Sequence, residues 1–132
     1  MKRVVIDTNI LVSATISPEG NPAKILDLVS DKQVELYYSE GILDEYKRVL
    51  AYKKLNIAFQ NQQSIIDTIK EIGNLVNPTE STVSFTDESD RIFYDVAKAI
   101  NEAVLVTGNI KHYPDEPFVM LPADYLNKFN EN

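Results

Sequence analysis

Short β-rich runs alternate with helical patterns along the whole chain, and this alternation limits the possible folds more than any other feature. Arg3-Val4-Val5-Ile6 is β-branched and apolar, and polar Asp7-Thr8-Asn9 follows at once. A run without polar alternation suits a strand buried on both faces. Asn21-Pro22 then opens a helix over 22–30, with Asn at the N-cap and Pro in the first helical position. Residues 34–38 read as a second strand, and Ser39 caps a helix over 40–52. Residues 60–76 place Ile65, Ile69, Ile72 and Val76 on one stripe of a further helix. Core is the plain assignment for that stripe, and a dimer or partner surface is the other. Segment 78–86 is ambiguous, with residues 83–85 a candidate edge strand. Residues 90–101 form an amphipathic helix with Phe93, Val96, Ala97 and Ile100 inward. A buried strand over 103–106 ends at Thr107-Gly108-Asn109, residues 118–121 form the last strand, and Pro122 opens a terminal helix.

This order predicts an α/β fold: three layers, with a mostly parallel central sheet between helices. No Pro/Gly/Ser-rich linker divides the chain, so residues 1–132 read as a single domain. In such sheets ligands bind beyond the carboxyl ends of the strands. Asp7-Thr8-Asn9 and Thr107-Gly108-Asn109 both fall there.

Composition removes several chemistries. With no Cys there is no disulfide scaffold, thiol catalysis or Cys-ligated zinc, and a reducing cytoplasm fits. No apolar run reaches the roughly 18 residues of a membrane helix, and Met1-Lys2-Arg3 runs into a strand with no signal-peptide core. The expectation is a cytoplasmic protein away from membranes. The lone His112 cannot build a His-ligated metal site and reads as a surface-loop residue. No Gly-rich phosphate loop, dinucleotide fingerprint or Ser nucleophile elbow occurs. The net charge is −7, and it is uneven: residues 1–66 hold 8 acids and 8 bases, residues 67–132 hold 12 acids and 5 bases. An acidic chain lacks the basic footprint of a simple nucleic-acid binder. Carboxylates that hold metal cations are the exception, because the ions reverse the local field.

Three acids sit where the pattern makes them informative. Glu45 shares a helical face with Ile42, Tyr46 and Val49, so it projects from a largely apolar stripe. A buried unpaired carboxylate is costly, and a metal ion offsets that cost; snorkelling to water or meeting an Arg are the plain alternatives. Asp44 lies on the outer face, where Arg48 at i+4 offers a solvated pair. Asp7 follows an apolar strand and doubles as a turn or helix-cap residue. Asp90 falls in the first turn of a helix, where Asp suits the dipole, and Asp87 and Ser89 compete for the N-cap. Asp95, between Arg91 and Lys98, reads as a solvated salt-bridge residue. Asp7, Glu45 and Asp90 can converge at one sheet edge, where clustered hard oxygens suit Mg²⁺ or Mn²⁺. Lys47, Arg48, Lys53 and Lys54 form the largest local basic cluster, read either as a solvated helix end or as a guide for a phosphate backbone. In the second reading Arg48 and Lys53 are the candidate RNA-backbone contacts.

The blocks VVIDTNILVSA, ILDEYKRVL, DESDRIFYDVAKA and AVLVTGNIKHY, in this order and spacing, resemble the four blocks of a PIN domain. The compact length is similar to the VapC-like toxin components of toxin–antitoxin pairs. The resemblance implies a metal-dependent ribonuclease whose acids, here Asp7, Glu45 and Asp90, coordinate Mg²⁺ or Mn²⁺ and position an attacking water. It makes Asp87 a secondary acid and places Thr8, Asn9 and Thr107 among the polar residues near the metal. It also implies an RNA substrate, a cognate antitoxin and a homodimer. One departure stands out: Asn109 occupies a position where the family often has Asp. Asn keeps a carbonyl oxygen but loses the charge, which bears on a second metal site. Two other readings stay open. One is a PIN fold that docks RNA or protein without catalysis. The other is a phosphohydrolase with Asp7 as covalent nucleophile, although the second Asp that chemistry usually wants is Asn9 here.

Overall fold

The structure is a computed structural model and describes residues 2–131. Its core is a five-stranded sheet, parallel throughout, in the order β3-β2-β1-β4-β5. The strands are β1 (Arg3–Ile6), β2 (Glu35–Tyr38), β3 (Asn74–Leu75), β4 (Ala103–Val106) and β5 (Val119–Met120). Six α-helices flank it: α1 (Thr8–Ile16), α2 (Asn21–Ser30), α3 (Glu40–Leu50), α4 (Phe59–Ile72), α5 (Arg91–Ala99) and α6 (Pro122–Asn130). The α/β expectation is met. Val4, Val5, Ile6 and all of β4 are buried, as runs without polar alternation require of central strands. Helix α5 packs across β1, β2 and β4 with α3 beside it, while α2 packs on α1 and α6. Among the described residues no helix is long and apolar enough to cross a membrane.

Several local expectations are corrected. The helix over 60–76 stops at Ile72, and the chain turns at Gly73 into β3, which pairs with the end of β2. The edge strand is therefore 74–75 and not 83–85, since residues 76–86 form no strand. A Cβ on Gly73 would lie 2.6 Å from the Ile69 carbonyl oxygen and 2.8 Å from the Tyr38 ring, so only glycine lets the chain leave α4 this close to β2. Gly73→Ala is expected to cost about 1–3 kcal/mol, read as a lower urea midpoint at unchanged slope. Helix α2 begins one residue early, with Gly20 as N-cap and no side-chain cap bond. Helix α1 was not expected: Thr8–Ile16 has almost no amphipathic period, so its start is set by the cap that precedes it. The isoleucine stripe is core, with Ile66 and Ile69 buried and Ile65, Ile72 and Val76 packed against them.

Candidate functional site

Strand order reverses between β1 and β4, and the crevice of such a sheet opens beyond their carboxyl ends. Asp7 follows β1, and Thr107 follows β4. The Asp7 carboxylate caps α1, its Oδ1 accepting the Ile10 N–H at 3.2 Å. Its Oδ2 accepts the Thr107 hydroxyl, whose oxygen in turn accepts the Asn109 N–H at 3.1 Å. Both side chains are buried. The cap reading of Asp7 is correct but incomplete, because a cap uses only one oxygen. Helix α3 is tied to the same strand end by Tyr46, whose hydroxyl donates to the Ile6 carbonyl. Ser39 caps α3 by accepting the Ile42 N–H at 3.2 Å, and Glu45 therefore emerges one residue before this anchor.

Asp87 wins the competition at the start of the fourth block. It accepts the Ser89 N–H at 2.9 Å and the Ser89 hydroxyl at 2.7 Å, capping the turn Glu88–Asp90. These bonds hold its carboxyl below the usual range. Asp90 is left without a cap bond. Its Oδ2 is buried with no hydrogen-bond partner among the described residues, and His112 Nδ1 stands 3.7 Å away. Burial pushes the Asp90 carboxyl up to about 6, helped by the charges of Asp87, Asp7 and Glu45 and opposed by His112. Burial also raises Asp7, against its bonds from Thr107, Ile10 and Asn9. The structure thus brings Asp7, Glu45 and Asp87 close enough for their charges to act on Asp90.

Glu45 is largely buried by α3, with 18% of its side chain exposed, and it meets an arginine. Arg48 donates to its Oε1 through Nη2 and through Nε, the latter at 3.2 Å. This overturns the Asp44–Arg48 pair: three residues on, Arg48 reaches the half-buried carboxylate, and Asp44 stays in water. Asp95 is also corrected. It is 7% exposed and accepts the Ser81 N–H at 3.2 Å, while Arg91 pairs with Glu88 and Lys98 with Glu116. Lys53 lies exposed in the turn Lys53–Leu55, and Asn9 is exposed on the first turn of α1. Asn109 is exposed, its side-chain nitrogen 2.9 Å from His112 Nε2.

Tyr113 is not singled out by the sequence at this site, and His112 reads there only as a surface-loop residue. Tyr113 is 7% exposed, and its hydroxyl has no hydrogen-bond partner among the described residues. Burial and the charges of Asp7 and Asp90 push it upward, which puts its hydroxyl close to both acids. His112 is a loop residue as expected, but the loop folds back onto Asp90 and Asn109. Both residues follow Asn109 within the same block, and adjacency to the strand-end cluster was the available signal.

Among the described residues no three His, Asp or Glu side chains stand as a ready-made metal cage. The reason is visible: Arg48 holds Glu45, and Asp7 is engaged by Thr107 and Ile10. The donor chemistry nevertheless fits a hard cation. Among the described residues, the buried side-chain oxygens without partners are Thr8 Oγ1, Asp90 Oδ2 and the Tyr113 hydroxyl. Oxygen donors with excess negative charge suit Mg²⁺ or Mn²⁺.

Known proteins resemble this chain over most of its length. An uncharacterized protein of Methanocaldococcus jannaschii is 34% identical over 110 residues, covering 81% of this chain and 70% of the relative. The PIN domain profile matches residues 3–111, a span that runs from β1 and Asp7 through Glu45 and Asp90 to Asn109. With most of its length matched and its acids gathered at the switch point of a parallel sheet, the chain belongs to the PIN domain family.

Proposed function

We propose that this protein is a divalent-metal-dependent endoribonuclease in which Asp7, Glu45 and Asp90 hold the cation, with Asn109 supplying a neutral oxygen. PIN domains are generally nucleases, act on nucleic acids and typically use divalent metals. The observation that carries the reading is the crowding at Asp90: burial pushes both Asp7 and Asp90 toward their neutral forms, the charges of Asp87, Asp7 and Glu45 raise Asp90 further, and its Oδ2 has no hydrogen-bond partner among the described residues. Carboxylates placed at such cost are explained by a positive ion. A divalent ion held by these residues would supply Lewis-acid polarisation of a phosphoryl oxygen and an activated water.

The chain's own residues do the positioning. Thr107 fixes the rotation of the Asp7 carboxylate, and Tyr46 fixes the strand end that presents it. Asp87, spent on its cap, orients the turn that carries Asp90. Arg48 pairs with Glu45, and with a cation held by that carboxylate its guanidinium would be free for a backbone phosphate. With a net charge of −7, RNA binding depends on that cation. The test is calorimetric titration with Mn²⁺, in which Glu45→Gln is expected to weaken binding about tenfold or more. Equal affinity in the variant removes Glu45 from the set.

The finer reading makes this ribonuclease the toxin of a toxin–antitoxin pair, acting as a homodimer in the cytoplasm and silenced by a cognate antitoxin. Its support is the likeness of the four blocks to compact toxin components. Growth arrest on expression, relieved by the neighbouring reading frame, is the result it requires. The Arg48–Glu45 pair favours one competing reading, a PIN fold that docks RNA without cutting it, and the same Mn²⁺ titration separates the two.

A further inference from the structure

The last turn of α3 leads from Glu45 into the densest basic run of the chain, where four of the eight residues 47–54 are Lys or Arg. Arg48 connects the two regions. While Nε and Nη2 hold Glu45, Nη1 donates to the Tyr52 hydroxyl, and the guanidinium carbon lies 5.6 Å from the Tyr52 ring centroid. The Lys54 ammonium lies 6.0 Å from the same ring. Tyr52 itself is 38% exposed, and Lys53 and Lys54 are exposed beside it. An aromatic ring kept at the surface, ringed by cations and one arginine away from an acid cluster, has the makeup of a nucleic-acid contact. Its face stacks on a base, and the cations take the phosphates on either side.

We propose that Tyr52, with Arg48, Lys53 and Lys54, forms a subsite for an unpaired nucleotide of single-stranded RNA next to the bond cut at the acid cluster. The subsite rests on the nuclease reading above and adds to it the residue that distinguishes unpaired from paired RNA. A duplex keeps its base faces inside the stack, where a surface tyrosine cannot reach them, so the ring selects unpaired RNA. The cations that now lie over the ring give way to the base and turn to its phosphates. A protein partner is the less favoured occupant, because four clustered cations in a chain of net charge −7 point to a polyanion.

The experiment is fluorescence anisotropy of labelled oligouridylate and of a labelled RNA duplex, with the acid cluster native and Ca²⁺ as the divalent ion, each RNA being run on a gel afterwards to confirm that it is intact. Tyr52→Ala is expected to weaken oligouridylate binding roughly tenfold and leave duplex binding unchanged. Tyr52→Phe keeps the stacking face and is expected to stay within about twofold of the parent. Unchanged oligouridylate binding in Tyr52→Ala, an equal loss on the duplex, or no oligouridylate binding by the parent overturns the subsite. If the expected pattern appears but the native chain cuts no RNA, the subsite stands and the nuclease reading falls. If the native chain cuts RNA and the pattern is absent, only the subsite falls.

Discussion

Asp7→Asn is expected to lower RNA cleavage by roughly a thousandfold while leaving the fold intact. The two halves of this result come from the two oxygens. Oδ1 accepts the Ile10 N–H as the cap of α1, and an Asn side-chain oxygen does the same, since Asn and Asp are equally good caps. Oδ2 faces the Thr107 hydroxyl in the crevice and carries the charge that a cation needs. Replacing it with an amide nitrogen removes a full negative charge at nearly constant volume. The same change relieves the crowding with Asp90, so the thermal midpoint is expected to hold or rise. The measurement is single-turnover cleavage of labelled single-stranded RNA in Mn²⁺ beside a thermal melt. Asp44→Asn, which alters an exposed acid one residue from Glu45, is the control expected to change neither. Undiminished cleavage by Asp7→Asn sinks the assignment of Asp7.

Much of this site is legible in the sequence because each acid interrupts a pattern. Asp7 ends an apolar run that only a central strand explains, Glu45 interrupts an apolar helical face, and Asp90 opens a strongly amphipathic helix. What was illegible depends on geometry that no local pattern records. Thr8–Ile16 scatters its polar residues around the helix, so its helical period is invisible and only the Asp7 cap announces it. The strand 74–75 is two residues long and exists because Gly73 lets the chain pass against Tyr38, a contact 35 positions apart in sequence. Asp95 sits at helical spacing from two cations, but segment 76–86 lies across α5 and claims both Asp95 and Arg91 by way of Ser81. Arg48 had two acids within reach, and the partly buried one prevailed because the pair gains more where water screens it less. Tyr113 reads as an ordinary core aromatic, and only its unpartnered hydroxyl beside Asp7 and Asp90 distinguishes it.

Asp90→Asn is expected to remove two pH trends at once, one in stability and one of opposite sign in cleavage. The Asp90 carboxyl is raised to about 6, above the usual carboxylate value near 4, first by burial and then by neighbouring acids. The folded state therefore holds this proton more tightly than the unfolded chain does. The stability it contributes is complete below about pH 4, is lost as pH rises toward about 6, and stays lost above. Asp87, Glu88 and Glu116 are depressed by their hydrogen bonds and push the other way, so the informative quantity is the difference between variant and native protein. Without metal near neutral pH, Asp90→Asn is expected to be more stable by about 1 kcal/mol, after discounting for the partial exposure of the group, or about 4 °C in midpoint. Near pH 4 the two proteins are expected to melt together. Cleavage runs the other way, because the cation and the proton compete for the same oxygens. At Mn²⁺ well below saturation the native rate is expected to fall about tenfold per pH unit below about pH 6, roughly a hundredfold by pH 4. Asp90→Asn lacks the proton and the charge, so its residual rate is expected to be low and free of this inflection. If the variant melts with the native protein at neutral pH as well, Asp90 is not the crowded acid described here. If the variant cuts RNA at the native rate, a crowded acid is all it is.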